Sequence, residues 1–192
     1  MRFLLNLLMF FGIAMLVGFG LSYLALERGN IWGTLRIGPW VAWSEIGSPT
    51  PDPYTRAYAS RTGALELSRA EGIKFVAEMD SDGNRLQRNC SYLIDGTTPQ
   101  ATLWTLVATQ KDGTPITADN GPMAMNSTRI NRAEDGSFAI NVGPELAGGN
   151  WLEITGDGYF LLVLTLYDPA VFSQSDISEN ILPTIIEKRC DV

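Results

Sequence analysis

From Phe3 to Leu26 the chain reads FLLNLLMFFGIAMLVGFGLSYLAL, and no charge interrupts it. As a helix rising about 1.5 Å per residue, this stretch is roughly 36 Å long, enough to cross a bilayer core of about 30 Å with some tilt. Few folds accept such a segment. A helix buried in a soluble core rarely lacks a polar face over this length. A cleaved signal peptide has an apolar region of about 7–15 residues, followed by small residues in an A-x-A-like pattern. Here the run is longer, and the exit SYLALERGN holds Ala25 without a small residue two places before it. Residues 1–26 therefore read as an uncleaved transmembrane anchor. Asn6 near its start and Ser22 and Tyr23 near its end are placed to meet the interfaces. Arg2 precedes the run, while Glu27 and Arg28 offset each other after it. The positive-inside bias favours an inside N-terminus and an exported domain.

The chain beyond the anchor is acidic. All 192 residues together have a net charge of -7, and Arg2 is the only base before Arg28. An acidic domain without a basic run repels phosphate backbones, which argues against nucleic acid as a partner. The chain has no histidine. That removes Ser-His-Asp and Cys-His catalysis and every histidine-based metal site. Neither a metal nor a cofactor is expected. The two cysteines, Cys90 and Cys190, form no C-x-x-C pair. Outside the cytoplasm they are best read as one disulfide, the alternative being two buried thiols.

Residues 27–51 read as a connector rich in Gly and Pro that carries Trp32, Trp40 and Trp43. These indoles suit either the headgroup level of a membrane or packing on the domain. Then PDPYTRAYASRTG predicts a short amphipathic helix. Asp52 is its N-cap, Pro53 its first residue and Gly63 its end, with Tyr54, Ala57, Tyr58 and Arg61 at helical spacing.

From Ala64 onward the apolar period becomes two. GIKFVAEMD, a turn at Asp82-Gly83-Asn84 and RLQRNCSYLI read as a β-hairpin, with Arg88 at a bulge or edge. Further strands are ATLWTLVAT, SFAINV, YFLLVLTLY and TIIEKR, separated by Asp-Gly turns. YFLLVLTLY is apolar on both faces and reads as a central strand covered on both sides, whereas SFAINV alternates and turns one face to water. The sum is a mainly β fold. It is an antiparallel β-sandwich or jelly-roll-like domain over residues 52–192 with one short helix, behind a single transmembrane helix.

Candidates for chemistry are few. DSDGN at Asp80–Asn84 resembles the start of a calcium loop, but Arg85 and Ser91 stand where that loop needs glycine and glutamate. A hairpin turn explains the stretch without calcium. Glu153, Asp112, Asp135 and Asp157 lie in or beside turns, and Asp157 and Asp168 flank the YFLLVLTLY strand at opposite ends. No pair stands out for acid–base work. Arg56 beside Tyr54 and Tyr58 suits a carboxylate or sugar, but pairing with Asp52 one helical turn back, with the tyrosines packed on the sheet, is the preferred reading. Asn150 with Trp151 suits a sugar-stacking pocket, but a glycine turn followed by a core indole is the preferred reading. Trp104 reads as core.

Several stretches resemble the bacterial family catalogued as domain of unknown function 1214: DPYTRA, the strand around Tyr92, WTLVATQKDGTP, STRINRAEDGSFAINVGP, GNWLEITGDGYFLLVLTLYDP and LPTIIEKRC. The resemblance implies a β-sandwich-like domain and brings no established active site. In longer members a second uncharacterised domain precedes it. Here an anchor takes that place, which raises a separate companion-domain protein as a partner. The resulting expectation is an anchored envelope protein, single-pass in the bacterial inner membrane, with its C-terminal domain in the periplasm. Its work would be non-enzymatic binding of a partner or ligand. The alternative is a carboxylate-based envelope enzyme acting on a carbohydrate-like substrate.

Overall fold

The computed structural model describes residues 2–27, 34–43, 45–63, 67–68, 71–116, 121–169 and 182–190. Helix α1 spans Arg2–Glu27, and its Arg2–Leu24 stretch is long and apolar enough to cross a membrane. None of that stretch is buried against the rest of the protein. Side chains are exposed on every face, from Phe3 through Phe10 and Leu16 to Leu21. Such a surface suits lipid, or the passage of a signal sequence, and not water.

Helix α2 spans Pro53–Thr62 and forms where its caps dictate. The Asp52 carboxylate accepts from the backbone N–H groups of Tyr54 at 2.8 Å and Thr55 at 3.2 Å, and from the Thr55 hydroxyl. That hydroxyl, together with the two N–H groups, holds the Asp52 carboxyl below its ordinary range. At the other end Gly63 takes a left-handed conformation and donates its N–H to Ala59. Tyr58 stacks on Trp43 with ring centroids 4.3 Å apart.

The described strands are β1 Thr34–Ile37, β2 Trp40–Trp43, β3 Gly72–Ala77, β4 Cys90–Gly96, β5 Ala101–Thr109, β6 Ala124–Asn126, β7 Phe138–Gly143, β8 Asn150–Glu153, β9 Leu161–Pro169 and β10 Thr184–Cys190. They form a six-stranded sheet, β1-β2-β3-β9-β5-β6, facing a four-stranded sheet, β10-β4-β7-β8. β9 is central, flanked by β3 and β5, as its apolar run predicts. Leu162, Leu164 and Leu166 point into the core and are almost wholly buried. On its other face Leu161, Val163 and Tyr167 are half-buried. From the opposing sheet Tyr92, Ile94, Ile140, Val142, Leu152 and Ile185 complete the core. β7 alternates as its sequence predicts, with Ile140 and Val142 inside and Ala139 exposed.

Three features differ from the sequence reading, and one that it left open, the place of Trp40, is decided. The stretch read as a connector carries the β1–β2 hairpin, which pairs with β3. Trp40 is fully buried and donates its indole N–H to the Pro183 carbonyl at 2.7 Å, so it packs inside the domain. Trp32 lies outside the described residues. The expected hairpin around Asp82–Asn84 closes only locally, through the antiparallel Met79–Arg85 bridge, and then turns a corner: β3 belongs to one sheet and β4 to the other. Buried Asp80 shapes that corner by accepting from the N–H groups of Asp82 and Asn84. Ser81 pins it to β10, donating its N–H to Ile185 and accepting from the Ile185 N–H at 2.9 Å. Finally, β8 runs parallel to β7, so the smaller sheet is mixed.

Cys90 and Cys190 stand directly opposite each other on β4 and β10 and form a disulfide. The bond suggests an oxidising compartment. It closes the chain over a separation of 100 residues.

Candidate functional site

The two sheets are tied together unequally at their sides. On one side the Trp40–Pro183 hydrogen bond joins β2 to the entry of β10. On the other side the edge strands are β6 and β8. Between them lies a cleft of about 440 Å³. One wall is β6 and the turn after it, with Met125, Asn126 and Arg129. The other is Asn150 and Trp151 of β8, together with the loop at Leu146–Gly149.

Asn150 builds this cleft more than it faces a ligand. Its carbonyl oxygen accepts from the Asn131 N–H at 2.7 Å, and its amide donates to the Asn131 and Ala139 carbonyls at 2.9 Å each. The side chain is buried and its hydrogen-bonding capacity is almost wholly spent. It clips the loop carrying Arg129 and Asn131 onto β7 and β8. Trp151 comes next, on the opposite face of β8, and is half-buried. Its Nε1 is closed off from solvent with no acceptor among the described residues, so the cleft meets the ring and not the N–H.

The electrostatics of the cleft run against those of the chain. Among the described residues its lining holds Arg129 and no Asp or Glu. Among the described residues the Arg129 guanidinium has no acidic partner. Glu145, which precedes the lining residue Leu146, pairs with Arg189. The Asn126 carbonyl oxygen accepts from the Thr128 N–H and hydroxyl, which leaves its amide donor outward. Arg129 and Asn131 are not among the residues that the sequence singles out. Its signal for them is weak: between Asp119 and Glu134 the chain holds Arg129 and Arg132 and no acid. Arg132 serves elsewhere, lying over the rings of Trp104 and Phe138.

Tyr54 and Arg56 do not join this cleft. They sit on exposed faces of α2, and the Asp52 carboxylate caps the helix instead of pairing with Arg56. Trp104 is a core residue, 5.0 Å from Phe138 between ring centroids. The remaining candidate acids serve turns or strand ends. Asp112 and Asp135 accept from Thr114 and Ser137, and those hydrogen bonds hold both carboxyls below their ordinary range. Asp168 accepts from the Thr102 hydroxyl at 3.0 Å, at the far end of β9 from Asp157. Cys90 and Cys190 lie near Glu187, but the disulfide leaves no thiolate to bind a metal.

Residues 71–171, from the approach to β3 to just beyond β9 and including both walls of the cleft, match the family described as protein of unknown function, DUF1214. This chain belongs to that family. The DUF1214 fold is also visible in the VPA0106 protein from Vibrio parahaemolyticus, with a TM-score of 0.58 at 16% identity over 71% of this chain. An uncharacterized protein from Burkholderia cenocepacia aligns with a TM-score of 0.43 at 16% identity over 76% of this chain. This DUF1214 chain spans only 35% of the length of the first of these and 45% of the second. No curated protein matches it.

Proposed function

We propose that this DUF1214 protein is a membrane-anchored envelope protein whose β-sandwich binds a ligand or partner and catalyses no reaction. A single span holds it in the bacterial inner membrane, with the sandwich in the periplasm. The observation that carries this reading is the junction of two incompatible environments. α1 displays apolar side chains on all faces and ends at Glu27, and the disulfide-bonded sandwich begins at Thr34. A lipid-facing helix followed at once by an oxidised domain fits an anchor with its cargo outside the cytoplasm. Arg2 ahead of the span supports that orientation.

Binding is preferred to catalysis on one further observation. An enzyme working through paired carboxylates needs two acids across a cleft, and none lines the cleft between β6 and β8 among the described residues. A companion-domain protein is the partner that the family resemblance favours.

The test is topological and biochemical together. Protease added to spheroplasts should digest the sandwich, and non-reducing peptide mapping should recover Cys90 joined to Cys190. Gentle solubilisation of native membranes should then recover a stoichiometric companion or bound small molecule with the full chain. A sandwich protected in intact spheroplasts would refute the orientation. A solitary chain with nothing bound would refute the binding role.

A further inference from the structure

Three observations meet at the cleft between β6 and β8. The first is charge. In a chain of net charge -7, the cleft lining carries a guanidinium and no carboxylate among the described residues, while the buried Glu153 carboxylate lies just beyond it, beside Gly121. Arg129 thus sets a positive charge in the cleft of an otherwise acidic protein. The second is hydrogen-bonding sense. Arg129 offers a planar fork of donors, and the Asn126 amide N–H groups have no acceptor among the described residues. Both side chains offer donors, so the ligand group that suits them is an acceptor. The third is apolar surface. Leu146, on the cleft rim, is 81% exposed, more than any other large apolar side chain described, α1 included. Neighbouring Met123 is 52% exposed, and the Trp151 ring and Met125 line the wall.

We infer that this cleft binds a small amphipathic carboxylate. The carboxylate seats on Arg129 with help from the Asn126 amide, and the apolar body lies against Leu146 and the Trp151 ring. A bare inorganic anion would leave Leu146 in water, and a neutral apolar ligand would leave the Arg129 fork unused. A volume of about 440 Å³ holds a ligand of one ring or a short chain and excludes a whole phospholipid. The Asn150 clamp supplies preorganisation, because it fixes both walls before any ligand arrives. This inference rests on the binding role proposed above and names the ligand class for it.

The test uses the full chain in lipid nanodiscs and fluorine NMR of 4-fluorophenylacetate, with 4-fluorophenylacetamide as the neutral probe of the same shape. Empty nanodiscs supply the background. The expected result is saturable broadening of the acid and at least about tenfold weaker binding of the amide. Arg129→Gln should weaken the acid about tenfold or more and leave the amide unchanged. Leu146→Ser should weaken both probes by a similar factor. Arg36→Gln, on β1 at the opposite edge, should change neither. Both cleft changes are at the surface, so thermal unfolding should not move.

Equal binding of acid and amide, or an acid affinity untouched by Arg129→Gln, would overturn the inference. So would displacement of the probe by inorganic phosphate as effective as by unlabelled phenylacetate, since that marks a bare anion site. If no probe binds while native membranes still yield a companion, the ligand class fails and the binding role stands.

Discussion

Asn150→Ala distinguishes a residue that builds the cleft from one that touches the ligand. The side chain makes three hydrogen bonds, one accepted from the Asn131 N–H and two donated to the Asn131 and Ala139 carbonyls. Each such bond contributes about 1 kcal/mol net, giving about 3 kcal/mol if all three are lost without replacement. Asn131 and Ala139 are exposed, so water reaches part of what is vacated, and about 2–3 kcal/mol is the expected cost. For a domain of this size that lowers the melting temperature by roughly 4–12 °C. Urea unfolding of the detergent-solubilised full chain, monitored by tryptophan emission, measures it directly. The slope against urea should stay constant and the midpoint should fall. Asn150→Asp should be at least as costly, because it replaces two donors with a buried charge facing carbonyls. A variant within about 0.5 kcal/mol of the parent would refute the clamp. If that variant also lost binding of the carboxylate probe, Asn150 would be a ligand contact after all.

The same geometry has other measurable consequences. Cys90→Ser with Cys190→Ser should cost up to about 4–5 kcal/mol from the 100-residue loop, read as a lower urea midpoint that reductant no longer changes. Trp40→Phe removes the donor to Pro183 and should cost about 1–3 kcal/mol, with faster amide exchange concentrated in β2 and β10. The carboxyls of Asp52, Asp112 and Asp135 are lower in the folded state because they accept hydrogen bonds from Thr55, Thr114 and Ser137. Their stabilisation is complete above the unfolded carboxyl value of about 4 and is lost as pH falls through the folded values. Acid unfolding should therefore begin below pH ~4, and replacing all three with Asn should flatten that part of the profile.

Sequence signals that are local survive into the structure. α2 starts at Pro53 and ends before Gly63 because both caps are written in adjacent residues. β5 occupies the whole of ATLWTLVAT, and β9 takes the centre of its sheet because Leu162, Leu164 and Leu166 need cover. Elements set by distant partners are not legible in the same way. β1 and β2 are short and sit among Gly and Pro, and they are strands because β3 pairs with them and Trp40 reaches Pro183. The turn at Asp80–Asn84 is a hairpin turn, as its composition says, with Met79 paired to Arg85 across it. Its second strand leaves for the other sheet because Ser81 bonds to Ile185. The cleft is half legible. Asn150 and Trp151 stand out as an amide beside an indole, but Arg129 reaches them only through a clamp that no periodicity encodes.

The disulfide has a consequence in time. β10 is the outer neighbour of β4, and no other described strand pairs with that side of β4. On the proposal that the chain is exported behind its N-terminal helix, β4 emerges long before β10. Until then its edge is bare and the Cys90 thiol waits for a partner 100 residues away. With Cys190 its only possible partner in the chain, no wrong pairing within one molecule can form. The oxidation step therefore reports one event only: the arrival of the last described strand. The appearance of the Cys90–Cys190 bond in a pulse-chase is thus a clock for completion of the sandwich.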